Sequence, residues 1–345
     1  MQDFAKKNRP ASAGKFFLGA GCYKHHIPSA VDHLIQRSEF LTSYTPYQPE
    51  ISQGTLAVIF QFQSIIANLT GMQVANASMY DGATSLAESC LMALRIKSGK
   101  KNLAKFGNIN PDYLEVTKTF LDLNHANLVD KIDENCAGVI VQYPDFYGNI
   151  TDLTAVRKKC DEVGALMIVV VSEILSLGLL EAPSQADIVV GEASSLGVGL
   201  NFGGPLLGFF ACKKEFVRQM PGRICGSTFD ADGKQGFVLT LNAREQHIRR
   251  DKATSNICSN QGLCATAFTI HTSLLGEIGY KKLAMLNHQI AVFAHDELSK
   301  IKGLKVLNEN FFNEFTIEFS SHKAHEVNQK LLAKNIIGGF CVDNK

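Results

Sequence analysis

The 345-residue chain predicts an α/β protein: a mostly parallel sheet covered on both faces, followed by a smaller α+β tail. Three observations carry this. Short continuous apolar runs recur at Cys136–Tyr143, Leu166–Val171, Asp187–Val190 and Leu206–Cys212, as in parallel strands buried on both faces. A segment of helical spacing, 152–163, separates the first two of these runs. Beyond residue 243 the pattern changes to long helices and short strands, an α+β arrangement. The length fits one large and one smaller domain, placed at 1–290 and 291–345, with the boundary inside a long helix near 280–300.

The elements follow in order. Tyr44-Thr45-Pro46-Tyr47-Gln48-Pro49-Glu50-Ile51-Ser52-Gln53-Gly54 carries two prolines three residues apart. They rule out a helix through Pro49 and hold the residues before them extended. Two tyrosines, a glutamine and a carboxylate then ride on a stiff strip that loses little entropy on binding. The plainer reading is a Pro-rich surface loop. Ser52 is placed to cap a helix running to Gly71. A second helix spans 82–97, opens with Asp81-Gly82-Ala83-Thr84 and turns Leu86, Leu91 and Leu94 inward. The tail reads as helices at 261–278 and 279–300, strands at Leu304–Leu307 and Phe315–Phe319, and a helix at 323–334. Gly338-Gly339-Phe340-Cys341-Val342 reads as an incomplete last element, since no closing helix follows.

Composition excludes several classes. Hydrophobic content of 46% with 19% charged residues is globular. A net charge of +1 gives no general pull toward nucleic acid or an anionic membrane. No apolar run approaches the ~20 residues that span a bilayer, and the first residues lack the apolar core of a signal peptide. The nine cysteines are scattered without a Cys-x-x-Cys pair, which fits reduced, buried, cytoplasmic thiols. The histidines show no His-Glu-x-x-His spacing, so no metal centre is expected. Nucleophile-elbow, Walker and Gly-x-Gly-x-x-Gly motifs are all missing.

Ligands of an open parallel sheet bind beyond the carboxyl ends of the strands. Four segments are expected there. Asn76–Thr84 places small residues at a helix N-terminus, an anion or phosphate cradle or simply a capped helix start. Tyr143-Pro144-Asp145-Phe146-Tyr147-Gly148-Asn149 is a strand end breaking into a turn, with aromatics and a carboxylate. Gly191–Gly197 leading to Asn201-Phe202-Gly203-Gly204-Pro205 is a glycine-dense loop. Arg244–Gln261 brings Arg249, Arg250 and Lys252 for an anion and ends in small hydrogen-bonding groups, Ser255 and Asn256 among them. Its alternative is a solvated helix face and a polar turn.

Tyr44–Gly54, Asn76–Ala83, Tyr143–Asn149, Gly203–Pro205, Met220-Pro221-Gly222-Arg223 and Arg244–Gln261 together resemble the glycine cleavage system P-protein. The resemblance is to its subunit 1, the alpha chain of the two-subunit glycine dehydrogenase (decarboxylating). It spans nearly the whole chain, in order. It implies the fold of type I pyridoxal-phosphate enzymes, with a mostly parallel seven-stranded sheet and a small C-terminal domain. Compared with that family, an N-terminal lead-in and the final C-terminal elements are expected to be missing. The implied activity is decarboxylation of glycine on pyridoxal 5'-phosphate (PLP), with transfer of the aminomethyl group to the lipoyl arm of H-protein. That chemistry needs a Schiff-base lysine and a carboxylate facing the pyridinium nitrogen.

Between Lys159 and Lys213 there is no lysine, arginine or histidine. Ser195 aligns with the family's Schiff-base lysine, and a hydroxyl cannot form that bond. Glu173 aligns where the family carries an aspartate, and its surroundings depart from subunit 1 as well. The resemblance therefore implies no catalytic residue on this chain, PLP held covalently by subunit 2, and an α2β2 assembly. In such dimers one chain completes the other's site. Tyr44, Thr45, Tyr47, Gln48 and Glu50 are the expected contributors, followed by Ser255 and Asn256, with Arg249, Arg250 and Lys252 for an anion. A catalytically inert scaffold is the alternative, and an independent PLP enzyme using Lys252 is the third reading.

Overall fold

The structure, a computed structural model, describes residues 1–342, so the last three residues of the expected 291–345 tail lie outside the described residues. A short strand β1 (Lys15–Phe16) and helix α1 (Ser29–Ile35) precede helix α2 (Gln53–Thr70). α2 stops where the sequence places its end. Gly71 takes φ 69° there, and its N–H reaches back to the Ala67 and Asn68 carbonyls. Its start differs from expectation in two details. Ser52 is the N-cap residue but its side chain makes no capping bond. Pro49 opens a 3-10 turn over Pro49–Ile51, so the strip is extended only as far as Gln48.

Strand β2 (Val74–Ala75) and helix α3 (Gly82–Ile96) come next, then β3 (Asn102–Phe106), α4 (Pro111–Leu123) and β4 (Asn127–Val129). They lead into β5 (Cys136–Gln142), α5 (Leu153–Val163), β6 (Leu166–Val171), β7 (Ile188–Glu192) and β8 (Gly208–Cys212). These strands form one seven-stranded sheet in the order β2-β8-β7-β6-β5-β3-β4. β3 through β7 are parallel, and β8 runs antiparallel to both its neighbours. The four predicted runs are its central strands. The β3–α4–β4 unit is additional, and β3 docks directly against β5.

Alternation along the strands divides the core between two faces. Val139, Val141, Met167, Val169 and Val189 join Phe62 and Ile66 of α2 and Val156 and Cys160 of α5. Ile140, Ile168, Val170, Ile188 and Val190 face the other way, onto Leu86, Cys90 and Met92 of α3 and Leu121 of α4. Helices thus cover both sides of the sheet, as continuous apolar strands require.

A hairpin follows, β9 (Ile224–Phe229) with β10 (Gln235–Thr240), its turn closed by Asp230 accepting from the N–H groups of Asp232 and Lys234. Helix α6 (Gly262–Ser299) covers both predicted tail helices, and its single break is at Gly276, with φ 59° and ψ −179°. Its later turns leave Leu274, Ile278, Leu286, Ile290 and Phe293 exposed. The antiparallel pair β11 (Leu304–Val306) and β12 (Ile317–Phe319), helix α7 (Ala324–Ala333) and β13 (Ile336–Ile337) complete the tail. β13 pairs in parallel with β1, so the chain's first strand belongs to the tail. Among the described residues no helix is long and apolar enough to cross a membrane.

Candidate functional site

The carboxyl ends of β5, β6 and β7 and the N-terminus of α3 converge, as expected for a ligand crevice. The carboxylates there already have internal partners. Asp145, beyond β5, is buried and knits its own turn, accepting from the N–H groups of Tyr147 at 3.0 Å and Asn149 at 2.8 Å. The Asn108 amide donates to its other oxygen at 2.8 Å. The turn is fastened to the tail through Tyr147, whose carbonyl accepts from the Asn308 side chain and the Thr316 hydroxyl.

Glu173, beyond β6, is 2% exposed. Its Oε2 lies 2.8 Å from His25 Nε2, and its Oε1 accepts from Ser195 Oγ at 2.9 Å and from the Leu175 N–H at 3.0 Å. Burial lowers the His25 pKa, but the hydrogen bond and charge of Glu173 outweigh burial and leave it raised. His271 of α6 is buried nearby. Burial first, and the neighbouring His25 and His26 second, depress its pKa to about 4.

Glu192 ends β7 and reaches the start of α3. Its Oε2 accepts the Gly82 N–H at 3.0 Å, and its Oε1 accepts those of Leu207 at 2.8 Å and Ser194 at 3.1 Å. Burial pushes this carboxyl upward, while the N–H groups draw it back. Asp81 caps the same helix by accepting the Thr84 N–H at 2.7 Å. Of the two readings of Asn76–Thr84, the capped helix start holds, and the Gly82 and Thr84 N–H groups are taken by the chain's own carboxylates.

These positions fail as a cofactor site. Ser195 offers no amine, and it is bonded directly to the carboxylate that would face a pyridinium ring. On the other side of Glu173, toward the tail, a separate recess lined by Tyr23, Asp145, Glu173 and Glu314 has a cavity volume of about 10 Å³, room for about one water molecule. Among the described residues, no group of three or more His, Cys, Asp or Glu is placed to hold a metal ion.

The Tyr44–Glu50 strip lies at the surface, with Tyr44, Tyr47, Gln48 and Glu50 exposed, Thr45 half-buried and Pro46 buried as its anchor. Tyr47 is held in place. Its Oη accepts from Arg223 Nη2 at 2.7 Å, and its ring meets His247 edge-on at 5.6 Å between centroids. Arg223 is buried and pairs with buried Glu245 at 3.2 Å. Arg223 and His247 lie within Met220–Arg223 and Arg244–Gln261, where no local pattern marks either as a partner of the strip. Their pairing with it is long-range. His25 and Glu192 were missed for the same reason.

Arg244–Gln261 is tied down along its length. Arg244 donates to the Met220 and Gly222 carbonyls, the Cys258 N–H to Tyr80 Oη at 2.9 Å, and Asn260 to the Ala77 carbonyl at 2.8 Å. Ser255 is engaged internally, its Oγ donating to Glu88 at 2.7 Å. Asn256 is exposed. Arg249, Arg250 and Lys252 are exposed and make no ion pair among the described residues.

A sheet of this order, with a crevice where its parallel strands meet the start of α3, is the fold of type I PLP-dependent enzymes. The cysteine desulfurase of Thermococcus onnurineus NA1 shares it at TM-score 0.63 and 14% identity, over 97% of this chain and 86% of that one. The family model described as "Glycine cleavage system P-protein" matches residues 1–344, and the chain belongs to that family. A probable glycine dehydrogenase (decarboxylating) subunit 1 from Sphingopyxis alaskensis is 53% identical, over 98% of this chain and 78% of that relative. Its counterpart from Caulobacter vibrioides is 52% identical, over 98% and 79%. The crystal structure of an inhibitor-bound glycine decarboxylase (P-protein) superposes with TM-score 0.93 at 40% identity, over 98% of this chain and 79% of that one.

Proposed function

We infer that this chain is subunit 1 of a two-subunit glycine dehydrogenase (decarboxylating), active only together with subunit 2. The observation that carries this is the state of its own crevice. The aligned lysine position is Ser195, bonded at 2.9 Å to Glu173, while the tyrosine-bearing strip stands exposed and pre-oriented. The reading places PLP covalently on subunit 2, where it supplies the electron sink for loss of CO2 from glycine. This chain's part is to present Tyr44, Thr45, Tyr47, Gln48 and Glu50 to that site. Arg249, Arg250 and Lys252, unpaired among the described residues, offer cations for an anionic group, and Asn256 an exposed amide, whereas Ser255 acts through Glu88. An α2β2 assembly, delivery of the aminomethyl group to lipoylated H-protein and residence in the cytoplasm complete the reading. All nine cysteines are free, which supports a reducing compartment.

Glycine–CO2 exchange tests it, measured with each subunit alone and with the two mixed. Exchange confined to the mixture, and diminished by Tyr47→Phe, is the expected result. Full exchange by subunit 2 alone would favour the inert scaffold instead. Pyridoxyl label fixed by borohydride on this chain alone would refute the assignment.

A further inference from the structure

Loss of a Schiff-base lysine explains why no covalent bond forms. It does not by itself keep a cofactor from binding, since a phosphate is held by helix N–H groups and dipole rather than by lysine. In this chain the Gly82 and Thr84 N–H groups at the start of α3 are spoken for. The carboxylate of Glu192, 5% exposed, accepts the N–H groups of Gly82, Leu207 and Ser194 at 2.8 to 3.1 Å. Asp81 takes that of Thr84 at 2.7 Å. Tyr113 closes the flank: a Cβ built on Gly82 would lie 2.3 Å from its hydroxyl. An incoming phosphate would find the Gly82 and Thr84 donors used and a carboxylate already buried beside them.

The ring position is closed independently. Ser195 Oγ touches Glu173 Oε1 at 2.9 Å, so a ring between these residues would break that bond. His25, from the N-terminal segment, holds the other oxygen at 2.8 Å.

We propose that this chain excludes phosphorylated cofactors by internal substitution. Glu192 occupies the phosphate cradle and the Glu173–Ser195–His25 cluster closes the ring position, so restoring a lysine at position 195 does not by itself restore cofactor binding. The lysine-free chain is thus a sealed site and not merely a disarmed one. Its crevice carries no exchangeable cofactor that would compete with the site on subunit 2.

The full chain, alone and co-purified with subunit 2, is compared with Ser195→Lys, Glu192→Ala and the double variant. Each is incubated with PLP, reduced with borohydride and mapped for pyridoxyl peptides. Ser195→Lys is expected to carry no more label at that residue than background, and the double variant at least tenfold more. Folded Glu192→Ala should gain a thermal shift with inorganic phosphate that the unmodified chain lacks. Equal labelling of the single and double variants would overturn the proposal. So would a folded Glu192→Ala chain that ignores phosphate, or stoichiometric PLP retention by the unmodified chain in equilibrium dialysis. That last measurement decides even if every variant fails to fold. The exchange assay judges the partnership with subunit 2, whereas dialysis and label position on this chain judge its closure, so the two can fail separately.

Discussion

Arg223 is the residue where the exposed strip meets the core. A guanidinium only donates, so Tyr47 Oη must accept in their 2.7 Å bond, and its own proton is left for another acceptor. Tyr47→Phe should therefore lower exchange activity in the mixed enzyme at least tenfold, while unfolding free energy falls by about 1–3 kcal/mol for the Arg223 N–H left unbonded. Arg223→Met is expected to behave differently. It strands Glu245, 5% exposed, without its cation, and denaturant melts should show a loss of about 3–5 kcal/mol. The histidines at the crevice give the pH dependence its sign. His271, depressed to about 4, stays neutral when folded while the unfolded chain takes up its proton from about 6.5 downward. Its contribution to stability is full above about pH 6.5 and is lost between there and about 4. His25 is raised, so its contribution is full below the unfolded value and is lost as pH rises through the folded one. Urea midpoints measured from pH 4 to 8 should fall on the acid side, and His271→Phe should flatten that limb alone.

At the scale of elements, what the sequence made legible was what rests on local pattern. β6 begins and ends at Leu166 and Val171 as read, because six apolar residues in a row leave no other assignment. α2 ends at Gly71 because only a left-handed residue closes that turn cheaply. β3 was not legible: Asn102 and Lys105 interrupt its apolar run, and only its place between β5 and β4 makes it a strand. The β9–β10 hairpin was hidden likewise, since Gly226, Ser227 and Thr228 give its outer half no apolar face. The crevice was least legible, because Glu192 answers backbone N–H groups, which no sequence pattern records. The break in α6 supplies a test at this scale. Gly276, at φ 59° and ψ −179°, has nothing within 4 Å of where a Cβ would sit, so Gly276→Ala measures backbone strain free of clash. A loss of about 1–3 kcal/mol is expected in thermal or denaturant unfolding. A neutral result would mean that the helix can straighten through this point.

Over the whole molecule, the N-terminal segment links the crevice to the tail. β1 adds a strand to β13, the Ala20 N–H and Tyr23 hydroxyl donate to Glu314, and His25 reaches Glu173 at the end of β6. Glu314 is pushed upward by burial, against the pull of those two donors. Some ten residues of chain thus bind three parts of the fold that sequence distance keeps apart, for |i−j| is 294 between Ala20 and Glu314 and 148 between His25 and Glu173. Local unfolding should follow this connectivity rather than sequence order, since a tail held by few buried contacts opens first once its clasp is cut. Glu314→Ala leaves both donors without their acceptor, at a cost of about 1–3 kcal/mol for each group left buried. Limited proteolysis should then cleave the region 301–342 well before the sheet, whereas the unmodified chain resists at both. Hydrogen exchange offers the finer reading: amides of β11 to β13 should lose protection while those of β5 to β7 keep theirs. Equal loss across the sheet would show instead that tail and crevice unfold as one unit.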